Sequence, residues 1–327
     1  MYVIETNNLT KKFKDIVAVD GLSIQIGEGE VFGLLGPNGA GKSTTLNMLC
    51  TIMKPTSGTA AINGLDVDCH PHEVRQIIGI VFQDTSIDNR LTGRENLQMH
   101  AELYGVERKL AKDRIGELLR LVELDDRADE IVKNYSGGMR RRLEIARGLI
   151  HHPKVLFLDE PTIGLDPQTR AKIWDYIKRL PTEEKVTIIL TTHYMEEAQG
   201  LCDCVGIIDH GKIVALGSPK ELIREIGEDV ASLTLEDKSR AKEFESASFV
   251  KKVNVGEQVM LVLTDGASSI PKIFEFAAQK GIKIQSLELR TPTLNDVFLH
   301  YVGRDLRHEH SDGKDRLKMT MHRRGMR

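Results

Sequence analysis

Gly36-Pro37-Asn38-Gly39-Ala40-Gly41-Lys42-Ser43-Thr44 fixes how the rest of this chain is read. Gly36, Gly41, Lys42 and Ser43 satisfy G-x-x-x-x-G-K-[ST], the spacing of a phosphate-binding loop. Glycines let a backbone curl tightly enough for successive amide N–H groups to face a triphosphate. The Lys42 ammonium suits the β- and γ-phosphates, and the Ser43 hydroxyl suits Mg²⁺. The neighbours agree. Val31-Phe32-Gly33-Leu34-Leu35 before the loop is an apolar run of strand type, and Thr44-Thr45-Leu46-Asn47-Met48-Leu49-Cys50 after it opens a helix whose positive end faces the phosphates. An ordinary Gly-rich turn would not need strand, loop and helix in that order.

Residues 2–35 alternate apolar and polar positions around turns such as Gly27-Glu28-Gly29, an antiparallel β region leading into the loop strand. From about 72 to 151 the pattern is mostly helical, with Leu110, Ile115, Leu118, Leu119 and Leu121-Val122 recurring near every 3.6 residues. Three short apolar runs come next: Val155–Leu158, Val186–Leu190 and Val205–Asp209, the first two separated by a helical stretch at 168–180. Buried strands alternating with helices imply a mostly parallel α/β core.

A break at Gly227-Glu228-Asp229 closes a first domain, 1–227. Beyond it the pattern gives strand 230–236, helix 238–246, strands 249–255 and 258–264, helix 270–280 and strand 282–289. That β-α-β-β-α-β order predicts a small α+β, ferredoxin-like domain over 228–303, finished by a helix at 294–302. The stretch 304–327 is polar and basic and reads as a solvated tail. There is no internal repeat.

Composition narrows the class. The 327 residues carry a net charge of −3, with 28% charged and 40% hydrophobic residues, which describes a soluble globular protein without general attraction to nucleic acid. No run approaches the ~18 apolar residues of a membrane helix, and the N-terminus does not read as a signal peptide. Cys50, Cys69, Cys202 and Cys204 form no disulfide pattern, which suits a cytosolic setting. Cys202-Asp-Cys204 reads as small side chains of a buried element rather than as metal ligands.

Two further stretches carry chemistry. The run 155–158 ends in Asp159-Glu160, so a strand tip presents two carboxylates beside the phosphate loop. Asp159 suits the metal, and Glu160 suits orienting or deprotonating an attacking water. Tyr135-Ser136-Gly137-Gly138-Met139-Arg140-Arg141-Arg142 can cap a helix and leave N-terminal amides for an anion. Taken alone, it is a capped amphipathic helix whose three arginines form a solvated face.

The order of motifs resembles the ATP-binding cassette (ABC) proteins: phosphate loop, Gln83 in Val-Phe-Gln-Asp, Ser-Gly-Gly, Leu-Asp-Glu-Pro-Thr-Ile-Gly-Leu-Asp, then Thr191-Thr192-His193. The likeness covers about 220 residues and implies a P-loop NTPase cassette with antiparallel β, parallel core and helical subdomains. It implies that Gln83 touches Mg²⁺ and couples to a membrane partner, and that Asp166 belongs to a loop crossing between subunits. It makes His193 a switch histidine at the γ-phosphate and sets Phe13 on the adenine, although Phe13 equally fits a core position. Ser136, Gly137 and Gly138 then close on the ATP held by a second copy. Tyr135 and Met139 depart from the commonest signature and resemble the daunorubicin-resistance, ABC-2-type export branch. Thr291–Gly303 is similar to that branch's C-terminal segment, and Leu294, Val297, Phe298 and Tyr301 fall on one helical face. The implied protein is the ATPase of an exporter, using ATP and Mg²⁺. It dimerises and sits on the cytoplasmic side of the membrane through a separate permease. The alternative is a non-transport cassette ATPase acting on ribosomes or DNA. The tandem cassettes, coiled coils and zinc sites usual there are missing from this sequence.

Overall fold

The structure, a computed structural model, describes residues 2–227, 229–255 and 259–303, so the basic stretch 304–327 lies outside the described residues. Two compact units divide between Pro219 and Lys220, earlier than the expected boundary after 227.

The first unit opens with β1 (Tyr2–Phe13), β2 (Ile16–Leu22), β3 (Gln25–Gly27), β4 (Val31–Leu35) and α1 (Lys42–Leu49). Next come β5 (Ser57–Ile62), β6 (Leu65–Asp66), α2 (Pro71–Ile77), β7 (Ile78–Val81), α3 (Gly93–Leu103), α4 (Arg108–Leu121) and α5 (Gly137–Leu149). It ends with β8 (Val155–Asp159), α6 (Pro167–Glu183), β9 (Thr187–Thr192), α7 (Met195–Leu201), β10 (Cys204–Asp209) and β11 (Lys212–Gly217). β1 is the spine of an antiparallel sheet, pairing with β2, β3 and β5. The second sheet has the order β11-β10-β4-β9-β8-β7, parallel throughout except at the β11 edge. β4, β8 and β9 are buried at every position, which explains why they read as unbroken apolar or β-branched runs. Leu46, Met48 and Leu49 of α1 share one buried cluster with Ile4 and Ile26 of the antiparallel sheet and Phe32 and Phe157 of the parallel one. The helix after the phosphate loop is therefore anchored in the core of the unit.

The helical region departs from expectation in two places. β7 is a strand inside it; its four residues give too short a signal against the helices around it. Leu110 is 59% exposed, not on the apolar face. α4 buries Ala111, Ile115, Leu118 and Leu119, a stripe of four- and three-residue steps from which Leu110 is one position displaced.

The second unit comprises α8 (Pro219–Ile226), β12 (Val230–Leu235), β13 (Val250–Val255), β14 (Val259–Leu263), α9 (Gly266–Lys280), β15 (Ile284–Arg290) and α10 (Leu294–Val302). Its antiparallel strands run β13-β14-β12-β15, the ferredoxin-like order expected from the sequence. Lys238–Ser246 is a 3₁₀ helix, not an α-helix. Its buried residues, Ala241 and Phe244, are three apart, which suits three residues per turn. α10 begins at a capping box between Thr293 and Asp296 and buries Leu294, Val297 and Phe298. Tyr301 departs from that face: it is 37% exposed, and its hydroxyl lies 3.4 Å from Glu225 of α8. That bond is one reason α8 groups with the second unit.

Phe157→Ala empties a fully buried site behind the Asp159-Glu160 strand tip. It should destabilise the first unit by about 3–5 kcal/mol, seen as a lower denaturant midpoint in the fluorescence of Trp174.

Candidate active site

Register places the motifs. Leu35 of β4 pairs with Thr192 of β9, Asp159 of β8 pairs with Thr191, and Val81 of β7 pairs with Leu158. Four neighbouring strands thus stop level, and the residues after them share one edge of the sheet: Gly36 onward, His193, Glu160, and Phe82-Gln83. A cleft of about 270 Å³ at this edge is lined by Asn38, Gly39, Gly41, Lys42, Ser43, Thr44, Gln83, Glu160 and His193, together with Ala18 and Ile163.

The loop is built to grip. Gly41 precedes α1 with φ 111°, and a Cβ there would stand 2.4 Å from the Ala18 carbonyl oxygen, so only glycine fits. The first turn of a helix leaves N–H groups without acceptors inside the helix, and α1 opens at Lys42-Ser43-Thr44. Lys42 is 5% exposed; its Nζ donates to the carbonyls of Gly36 (2.7 Å) and Pro37 (3.0 Å) and lies 4.0 Å from Glu160 Oε1. Ser43 is exposed to the cleft. Pro37 and Ala40 shape the loop, with the Ala40 N–H donating to the Pro37 carbonyl (3.2 Å).

The two carboxylates diverge in role. Asp159 is buried, and one of its oxygens accepts from the Thr191 hydroxyl. Glu160 has φ 46°, the left-handed region, and its N–H donates to the Thr191 carbonyl (3.2 Å) and hydroxyl oxygen (3.1 Å). The turn carries its side chain to His193, whose Nδ1 lies 3.1 Å from Glu160 Oε1. With Glu160 ionised, that contact requires the proton on Nδ1. The left-handed turn and the histidine contact together fix where the Glu160 carboxylate stands in the cleft.

Ser136 caps α5, accepting from the Met139 N–H at 3.2 Å. Gly138 packs against α6 so closely that a Cβ would stand 2.3 Å from Thr169 Cγ2. The Thr169 hydroxyl donates to Asp166 (2.6 Å), which also caps α6 through the N–H groups of Gln168 and Thr169. These bonds, the Thr169 hydroxyl first, hold the Asp166 carboxyl below its usual range. Gly138 and Asp166 therefore meet at Thr169, with Ser136 and Gly137 just before Gly138 in the chain, and none of the four lines the cleft.

Residues 19–163 match the ABC transporter family, and residues 217–302 match the C-terminal domain of DrrA1-3-like ATP-binding proteins. The daunorubicin/doxorubicin resistance ATP-binding protein DrrA of Streptomyces peucetius is 40% identical over 306 residues, covering 92% of each chain. The Nod factor export ATP-binding protein I of Ralstonia nicotianae is 39% identical over 310 residues, covering 93% of this chain and 95% of that one. A dimeric post-hydrolysis structure of the ATP-binding cassette MJ0796, bound to ADP and Pi, superposes with a TM-score of 0.58 at 30% identity, covering 66% of this chain and 98% of the other. The chain belongs to the ABC transporter ATP-binding family. It is the ATPase of an exporter, in the branch that carries the DrrA-like C-terminal domain.

The cassette's arginines correct the sequence reading. Arg141 is not on a solvated face: it is 7% exposed and binds the backbone around both the carboxylates and the Gln83 loop. Its neighbour Glu144 is 2% exposed and accepts from the Ser86 N–H at 2.9 Å. Glu197 also escapes the sequence reading. Fully buried on α7, it accepts from the Thr162 hydroxyl (2.8 Å) and Trp174 Nε1 (3.1 Å), and burial raises its pKa. Its four-residue step from His193 is the one available signal. Phe13 does not line the cleft, and at 43% exposure it is not core either; Lys11 Nζ sits 5.2 Å from its ring centroid.

Lys42→Ala removes the one lysine lining the cleft among the described residues. ATP affinity should weaken by about 1.5–3 kcal/mol in titration calorimetry, and normal affinity would count against the loop assignment.

Proposed function

We propose that this cassette hydrolyses ATP with Glu160 as general base and works as a head-to-tail pair that drives a separate membrane-spanning permease. The observation that carries this reading is the convergence of Lys42, Gln83, Glu160 and His193 on one cleft while the Ser136 turn and Asp166 gather elsewhere. A cleft with half its motifs absent is completed by those motifs from a second copy.

The residues at the cleft fit a magnesium nucleotide. The loop from Gly36 to Thr44 would wrap the phosphates with its backbone N–H groups, Pro37 having none, and Lys42 would neutralise the β- and γ-oxygens; Phe13, outside the cleft lining, would meet the adenine only where that ring extends past the cleft. Ser43 and Gln83 at the cleft, with Asp159 buried behind it, would offer oxygen donors of the hard type suited to Mg²⁺, which when bound would draw charge from the phosphate oxygens. Glu160 takes the proton of the attacking water. His193, held by Glu160 through Nδ1, would contact the γ-phosphate. Ser136, Gly137, Gly138 and Asp166 would offer donors to the phosphates held by the other copy. Binding closes the pair because one phosphate group satisfies donors from both sides. Hydrolysis divides that group and releases the closure.

No helix among the described residues is long and apolar enough to cross a membrane, which fits a subunit seated on the cytoplasmic side through its permease. The permease binds the transported substrate in this scheme. Action on ribosomes or DNA is disfavoured by the match to the C-terminal domain of DrrA-like proteins.

Glu160→Gln keeps the shape of the cleft and removes the base. Turnover should fall on the order of 10²–10⁴-fold, and size-exclusion chromatography should show a dimer that needs ATP; an unchanged rate would remove Glu160 from the role. Tagged, full-length Glu160→Gln captured with ATP from detergent-solubilised native membranes should bring down a polytopic membrane protein at near-equal stoichiometry. Recovery of only soluble proteins, ribosomes or nucleic acid would overturn the exporter pairing.

A further inference from the structure

We propose that Arg141, outside the nucleotide cleft, is a positioning residue that clamps the general base and the Gln83 loop to the signature helix α5. The inference rests on Glu160 being that base.

A guanidinium has five N–H donors in a planar fork and bears its charge at all accessible pH. Buried, it is tolerated only when those donors are matched. At Arg141 all five are matched. Nε donates to the Pro161 carbonyl (2.7 Å), Nη2 to those of Asp159 (3.0 Å) and Glu160 (3.2 Å), and Nη1 to that of Phe82 (2.6 Å) and to Glu144 (3.1 Å). Three of these acceptors are consecutive carbonyls. They converge on one planar group because the chain turns at Glu160, whose φ of 46° is rare for a residue with a side chain. The guanidinium and the turn therefore support each other: the turn aims the Glu160 carboxylate at His193, and the clamp holds the turn.

The same pair of side chains fixes the neighbouring loop at two points. Arg141 takes the carbonyl of Phe82, immediately before Gln83, and Glu144 takes the N–H of Ser86, three residues after it. Both side chains project from α5, which begins at the Ser136 cap. A displacement of α5 is thus delivered to the base and to the Gln83 loop together. Glu197 supports the adjacent turn through Thr162 but reaches neither the Phe82–Ser86 loop nor the carbonyls of 159–161.

Lysine cannot replace the fork, because an ammonium presents its donors from a single point. In Arg141→Lys, the full-length protein should still bind one ATP per chain with wild-type affinity while turnover per bound nucleotide falls on the order of 10–100-fold. Reading turnover per bound nucleotide separates misplacement of the base from loss of folded protein. Arg142→Lys is the control: Arg142 binds the carbonyl of Val122 and the Tyr176 hydroxyl instead, and should turn over at the wild-type rate. Three outcomes would overturn the proposal: wild-type turnover in Arg141→Lys, binding stoichiometry falling in step with turnover, or an equal defect in Arg142→Lys. Glu160→Gln is measured alongside. If it keeps its activity, the assignment of the base has failed. If it is inactive while Arg141→Lys is normal, only the clamp has failed.

Discussion

The level ending of β4, β9, β8 and β7 is the constraint on which the site depends. Hydrogen-bonded registers allow no intermediate settings: a slip by one residue would turn a carboxylate from the cleft into the sheet face. Burial of both faces of the central strands holds the register, since any slip would also move side chains out of their packing. The chemistry at the edge is then set by the few residues beyond each strand end: a glycine-rich curl after β4, a left-handed turn after β8, a histidine after β9 and a glutamine loop after β7.

Part of the local cost of the first unit falls at that edge. Gly41 is strained for any other residue, Glu160 occupies the left-handed region, and Lys42 is an almost buried cation. A non-glycine residue in the left-handed region costs about 1–2 kcal/mol. Such costs are tolerated where the core beneath is dense, and Phe32, Phe157, Leu46 and Met48 supply that density directly under the loop. The second unit shows the opposite distribution. Its helices α9 and α10 begin at ordinary caps on Asp265 and Thr293, and its core is built on Leu233, Leu261, Phe244 and Ile273, with Ser269 a buried polar residue of α9.

The amino-acid sequence made most of the first unit legible, because each motif sits at a strand end and the strands are short apolar runs. The strand order of the second unit was legible too, through its β-α-β-β-α-β pattern. The features that escaped depend on partners distant along the chain. β7 has strand propensity in Ile78, Ile80 and Val81 but only four residues, and Ser57–Ile62 has one β-branched aliphatic residue, so β5 becomes a strand through its neighbours rather than through propensity. Arg141 looks identical in sequence to Arg140 and Arg142; none of the three forms the solvated face expected, since Arg140 bonds the Lys133 carbonyl and Arg142 the Val122 carbonyl and the Tyr176 hydroxyl, and only the packing of α5 against the 82 and 159–161 backbones makes Arg141 the clamp. Phe13 is a single aromatic residue at the tip of a hairpin, so its exposure follows from the position of the strand end rather than from its type. Gly227 marks a break in the sequence pattern, but the helix before it joins the second unit through Glu225 and Tyr301.

Four of Arg141's five acceptors are main-chain oxygens. Every residue type supplies a carbonyl, so the tether does not constrain which side chains stand at 82, 159, 160 or 161. The chemistry, not the tether, is what restricts positions 159 and 160, and residues 82 and 161 can change while the mechanical link stays intact. The reverse does not hold: at position 141 no other residue offers the same planar fork. The information for this junction is therefore held almost wholly on α5, and a comparison of paired positions would find only Glu144, the one side-chain acceptor, changing in step with it.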